Sequence, residues 1–288
     1  MEVEGRENDL YEGPSPASGF VHLWSQWQLL DSILPTGGFA HSLGLESATQ
    51  ARLVVLPDDL QTYVIHVLEN TGSLLLPFVY AITISPDEQT WHKLDKLLNA
   101  TLTNDISRKA SMSQGSALMR VAAAVFSEIP LLKLLRSSAL ASGLIAFHYA
   151  PIFGLVCALL GFGPEIAQRA YMFVTMRDVI SAATRLNLVG PLGAAVMQHR
   201  VTPVAEELSK KWMNRTVDEA CQGLDDQTWY ASTKLQFLDS YMRILDSNPR
   251  LLVQSAATRL HQSVSDRRML LCFSIGSLRL PRICRKIR

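Results

Sequence analysis

Between Ser137 and Pro164 the chain carries no Asp, Glu, Lys or Arg. A run of that kind has to leave water, either for a bilayer or for a protein core. One membrane-crossing helix needs about 20 predominantly apolar residues in succession. This run is diluted by Ser137, Ser138 and Ser142 and interrupted by His148-Tyr149-Ala150-Pro151. It therefore predicts two buried helices that meet at a turn. With 48% of its 288 residues apolar, the chain has enough material to enclose them in one core.

Helical periodicity recurs on both sides of the run. Trp24, Trp27, Leu30 and Leu34 follow one another at spacings of three, three and four, which predicts a helix over 22–34 with both tryptophans in the core. A second helix is read over 42–52. Pro57 followed by Asp58 and Asp59 marks a helix start, because proline needs no amide partner there and carboxylates suit the positive end of the helix dipole. Leu60, Tyr63, Val64, Val67, Leu68 and Thr71 then form one apolar face, with Gly72 as a stop. Residues 73–83 are apolar nearly all round and read as a central helix, with Pro77 in its first turn or kinking it.

Pro86-Asp87-Glu88 opens a helix carrying Trp91, Leu94, Leu98 and Leu102, and another covers 106–126. Its serine-rich start, with Gly115 inside it, reads as an exposed face or a protein contact surface. Residues 165–186 form one long helix ended by Asn187 and Gly190-Pro191, and 192–199 and 203–220 supply the last two. Sustained period-two alternation between hairpin turns is absent from this part of the sequence, so strands are not expected. The expected architecture is all-α, a single helical-bundle domain of about ten helices over residues 22–221.

The two ends differ in composition from this body. Residues 1–21 carry five acidic side chains and one arginine, with Gly13-Pro14-Ser15-Pro16 and no apolar h-region, and read as a disordered acidic extension without a secretory or import signal. Residues 222–288 hold eleven Lys/Arg against five Asp/Glu and lack sustained apolar periodicity, so a loosely ordered basic tail is expected. Cys157, Cys221, Cys272 and Cys284 lie far apart, as reduced structural thiols in a cytoplasmic protein would.

Several chemistries lack their sequence signature. There is no GxxxxGK[ST] phosphate loop, no GxSxG elbow and no HExxH pair. His41 and Glu46 lie five apart, which turns them about 500° on a helix and off a shared face, so they are not expected to ligate a metal together. Arg279 to Arg288 is basic, but no aromatic stacking platform is interleaved with it. The reading is a non-enzyme that binds no cofactor, metal, nucleic acid or membrane.

One segment carries more specific information. Leu29 to Ala48 reads LLDSILPTGGFAHSLGLESA: an apolar run stops at Pro35, crosses Gly37-Gly38 and restarts beyond His41. The proline and the glycine pair predict a helix, a tight turn and a second helix. The stretch LPTGGFAHSLGLE resembles the signature segment of the urease accessory protein F family, in its plant-type form. The similarity continues through 60–80, 109–120 and 148–197, up to about Cys221.

The resemblance implies an all-helical protein that forms a homodimer and has no catalytic residues. It implies an adaptor that joins a D-type (also called H-type) accessory protein, and with it recruits the nickel-carrying GTPase, accessory protein G, to apo-urease. A GTPase-regulating role is the alternative, with Arg120 as the suspect residue. Pro35, Gly37, Gly38, Phe39, His41, Ser42, Gly44, Leu45 and Glu46 match the signature; Arg120, His148, Phe153, Gly154, Ser181, Arg185 and Leu186 match the later segments. Read from their chemistry, these are turn formers, packing residues and a few polar groups, which suit a shaped surface better than a reaction centre. The tail after Cys221 departs from the family pattern, and weaker partner binding is expected of it.

Overall fold

The computed structural model describes residues 16–102 and 104–222, apart from the side chains of residues 16–22, Phe39 and Gln222. The expectations for residues 1–15 and for the tail 223–288 lie outside the described residues, while residues 16–21, read as part of the disordered extension 1–21, form the start of α1 (Pro16–Leu30). Within them the chain is all-α, with eleven α-helices, one 3-10 turn and no strand.

The charge-free run becomes the last part of α7 (Pro130–Ser142), a loop, and α8 (Tyr149–Leu159), and of the two buried helices expected only the second is enclosed: within 137–144 Ala139 alone is buried, while Leu140 and Leu144 are exposed, because serine and glycine leave that stretch without a continuous apolar face. Every residue of α8 from Tyr149 to Cys157 is buried. Such a helix needs neighbours on all sides, and it receives them from α4 (Leu76–Ile84), α5 (Glu88–Thr101), α6 (Asp105–Val125) and α9 (Pro164–Arg185). Gly154 marks the closest approach, to α4. A Cβ there would stand 2.7 Å from the Val79 carbonyl oxygen and inside the Ile82 side chain. Phe153, Tyr149 and Tyr171 close the other side with ring centroids 5.2–5.7 Å apart.

The helix starts follow from local chemistry. Pro57 opens α3 (Pro57–Leu74), where Asp59 Oδ2 accepts from the amides of Val55 and Leu56 at 3.1 and 2.8 Å. Pro77 lies in the first turn of α4, where its missing N–H costs nothing. Asp87 caps α5 by accepting from Thr90 N, and Asn104 caps α6 by accepting from Ile106 N and Ser107 N.

Four further expectations are corrected. First, α1 spans Pro16–Leu30 and ends before Leu34, and Trp24 and Trp27 stand 68% and 53% exposed. Their three-residue spacing does put them together, edge to face at 5.2 Å, but that face points outward while Leu29 is the buried residue. Second, Gly72 does not stop α3; its bare Cα admits the Trp212 indole, whose Cδ1 and Cγ would meet a Cβ there. Third, Pro203 does not divide the last long helix, α10 (Pro191–Trp212). Beyond the proline the helix is tied to its neighbours: Glu206 pairs with Arg169 of α9 at 3.0 Å and Lys211 with Glu69 of α3 at 2.6 Å. Fourth, the serine-rich start of α6 is not simply an exposed face, because Gln114 and Gly115 are buried against the start of α8.

A short α2 (Leu45–Gln50) and α11 (Val217–Gln222) complete the described chain. Among the described residues no single helix is long and apolar enough to cross a membrane; the bent pair α3–α4 passes that test only when taken together.

Gly154→Ala is expected to destabilise the protein by about 1 to 3 kcal/mol, because backbone of α4 has to move to admit the methyl group. Chemical denaturation checks this, and an unchanged midpoint would contradict the close approach of α4 and α8.

Candidate partner-binding corner

The signature segment folds as a corner laid on α9. After α1 ends at Leu30 the chain turns, Leu34 and Thr36 are buried, and Gly37 adopts φ +77°, a left-handed angle that costs other residues strain. Gly38–Ala40 forms the 3-10 turn, closed by Ala40 N to Gly37 O at 3.0 Å and His41 N to Gly38 O at 3.1 Å. Gly38 is required for a different reason. Its Cα lies against the Asp178 carboxylate of α9, so that a Cβ would overlap Oδ2 and reach Cγ at 3.0 Å.

The far side of the corner is tied to α3. Tyr63 donates its hydroxyl to the Leu43 carbonyl at 2.8 Å, and burial pushes its pKa up to about 12. Leu43 and Gly44 both take positive φ, +50° and +90°, and a Cβ on Gly44 would stand 2.9 Å from the Tyr63 oxygen. Leu45 is fully buried at the start of α2. Outward lie Pro35, Leu43 and Glu46, with His41 and Ser42 half-buried beside them. The side chain of Phe39 lies outside the described residues.

On α9, Arg177 holds Asp178 through Nε and Nη2 to Oδ1 at 3.0 and 2.7 Å, and its Nη1 donates to the Leu30 carbonyl at 2.6 Å. Burial raises the pKa of Asp178, while Arg177 and His41 work to lower it. Burial lowers the pKa of His41, assisted by Arg185 and opposed by Asp178. Arg185 is exposed at the last turn of α9, with Ser181 one turn earlier and Leu186 packed on the core beyond it. His41, Arg185, Ser181 and Asp178 thus belong to one neighbourhood, assembled from residues about 140 apart in sequence.

His148, Phe153 and Gly154 are placed elsewhere, in the interior. Asp95, fully buried on α5, accepts from Ala146 N and His148 N at 2.7 Å each, fixing the loop before α8. Ser111 of α6 accepts from Tyr149 N at 3.1 Å, which leaves its proton for His148 Nδ1 at 3.1 Å. His148 Nε2–H then donates to Asn99 Oδ1 at 3.2 Å, a neutral tautomer in keeping with a pKa lowered by burial and by Arg108, against Asp95. Gly115 lets α6 approach: its Cβ would come 2.7 Å from the His148 carbonyl carbon and 2.8 Å from Tyr149 N. These residues are buried within the described chain and build its core. Arg120 is exposed on α6, whose main neighbours are α7 and α8.

Sequence reasoning missed Tyr63, Asp95, Arg177 and Asp178 as organisers. Asp95 had a signal: it sits on the apolar stripe of Trp91, Leu94 and Leu98, where a carboxylate is out of place unless something pairs with it. No three His, Cys, Asp or Glu side chains come together as a metal site among the described residues.

The all-helical body and the corner laid on α9 are what the comparisons with known proteins bear on. The family model for UreF matches residues 54–202. The chain is 68% identical over 199 residues to urease accessory protein F of Arabidopsis thaliana, covering 69% of this chain and 83% of the relative. It is 66% identical over 222 residues to urease accessory protein F of Oryza sativa subsp. indica, covering 76% and 85%. Urease accessory protein UreF of Paenarthrobacter aurescens is 33% identical over 165 residues, covering 55% and 69%. The chain belongs to the urease accessory protein F family.

Two outcomes test the site's physics. Gly37→Val should cost about 1 to 3 kcal/mol through strain at a positive φ, read as a lowered denaturation midpoint. Because the native pKa values of His41 and His148 lie below the ordinary 6.5, the unfolded chain takes up their protons first as pH falls. Stability from both is complete above that value and declines below it. Melting temperature should drop as pH falls below about 6.5, and less so in His148→Gln; a flat profile would contradict imidazoles held neutral in the fold.

Proposed function

We propose that this protein is a non-catalytic adaptor in urease maturation, working with other urease accessory proteins. In this reading it acts in the cytoplasm as a homodimer, joins a D/H-type accessory protein, and with it recruits the nickel-carrying GTPase to apo-urease. The observation that carries the reading is the corner. Left-handed backbone at Gly37, Leu43 and Gly44, a tyrosine hydroxyl and a mostly buried ion pair fix residues 34–46 in one shape, and Pro35, Leu43 and Glu46 are left outward as a mixed apolar and acidic edge for a partner to read. The names of the relatives, urease accessory protein F from two plants and UreF from a bacterium, support the pathway. The exposed Trp24 and Trp27 supply apolar surface of the kind that association covers.

A second reading, regulation of the GTPase's nucleotide turnover, rests on Arg120, an exposed guanidinium that could reach a partner's phosphate groups. A turnover assay of the GTPase with the chain and with Arg120→Ala separates the two: an adaptor leaves the rate unchanged.

Copurification tests the adaptor reading. The full chain is expected to retrieve the D/H-type protein weakly, and a chain whose residues 222–288 are replaced by the C-terminal segment of the Arabidopsis thaliana relative should retrieve it with the GTPase in good yield. His41→Ala in that background should reduce capture severalfold with little change in melting temperature. Failure of both chains to retrieve either protein would reject the adaptor reading.

A further inference from the structure

We infer that Arg177 and Asp178 of α9 form a latch that positions the end of α1 and the 38–46 corner as one unit; the inference rests on the corner being the partner-facing surface. Adjacent residues on a helix point about 100° apart. For Arg177 and Asp178 to pair, the guanidinium has to fold back along α9, and the pair then spreads over the helix surface and meets two separate segments. On one side Arg177 Nη1 donates to the carbonyl of Leu30, the last residue of α1. That carbonyl is one of those a helix end leaves without an internal partner, and a cation suits the negative end of the helix dipole. On the other side the Asp178 carboxylate lies beneath Gly38 and beside His41.

Residues 31–37 are therefore held at both ends by two neighbouring side chains of one long helix. The pair is mostly enclosed, with 19% of the Arg177 and 10% of the Asp178 side chain exposed. A forked guanidinium is needed, since three of its nitrogens are used on two acceptors; a lysine ammonium would serve one direction at a time. Gly38 is then explained as the residue whose bare Cα admits the carboxylate. The other ion pairs of α9 do not share this arrangement: Arg169 is engaged by Glu206 and Glu165, which tie α9 to α10 and to itself.

A consequence is that the α1 end and the corner open together. α1 carries the exposed Trp24 and Trp27, so the latch couples the orientation of that apolar pair to the shape of the signature segment. Arg177 and Asp178 act as positioning residues and not as contacts.

Amide hydrogen exchange on the full chain tests this, with Arg177→Gln, Arg177→Lys and Asp178→Asn compared with Glu206→Gln and His41→Ala. The latch predicts that Arg177→Gln and Asp178→Asn each raise exchange in peptides covering 28–34 and 38–46 together, by about tenfold or more, with α8 changed by less than about twofold. Arg177→Lys should give an intermediate rise, and Glu206→Gln and His41→Ala none. Unchanged exchange in the two segments, a rise in only one of them, an equal rise in α8, or outright unfolding of the variants would overturn the latch. Capture of the D/H-type accessory protein by the same variants separates the two claims. If the latch variants loosen the segments but neither they nor His41→Ala alter capture, the latch stands and the partner-facing reading falls.

Discussion

A helix without a charged side chain has to be enclosed on every side, and α8 imposes that condition on the whole molecule. Four helices pack on it, and the contact with α4 is close enough to demand Gly154. Burying the helix also buries the backbone amides that lead into it. Asp95 answers that problem by accepting from Ala146 and His148, and Ser111, Asn99 and His148 complete the arrangement. A buried carboxylate with two backbone donors is stable where an unpaired one would be costly. The positions of α5 and α6 follow from this interior group as much as from apolar packing.

The same logic reaches the surface through α9. Its inner face packs on the core, while Arg177 and Asp178 at its edge hold the end of α1 and the corner. The corner is specific because its backbone is constrained from two directions, by Asp178 beneath Gly38 and by Tyr63 at Leu43. A preformed surface of this kind loses little entropy when a partner docks.

Much of the fold was legible in the sequence, because apolar spacing and breakers are local signals. The proline starts at Pro57 and Pro77, the turn at Gly37-Gly38 and the buried second half of the charge-free run appear where the residues direct them, whereas its first half, 137–144, stays largely exposed. What was hidden depends on the third dimension. Spacing put Trp24 and Trp27 on one face without saying which way the face points. Gly72 and Pro203 are breakers in isolation, yet Gly72 makes room for the Trp212 indole inside α3 and α10 continues through Pro203. Of the residues singled out, Pro35, His41, Ser42 and Glu46 lie at least partly exposed on the corner while Gly38 and Leu45 are buried beneath it, and His148, Phe153 and Gly154 lie in the interior. Both groups look alike in sequence, since turn residues and packing residues are drawn from the same small set.

The central claim is that the corner makes this chain work in urease maturation, and urease activity in cells measures it most directly. The chain, carrying the C-terminal segment of the Arabidopsis thaliana relative, would be expressed in Arabidopsis thaliana cells that lack their own accessory protein F and are supplied with nickel. The account predicts that urease activity returns, and that Gly38→Ala, which displaces the corner from Asp178, returns less of it at an equal protein level. No recovery of activity, or full recovery with Gly38→Ala, would contradict the account.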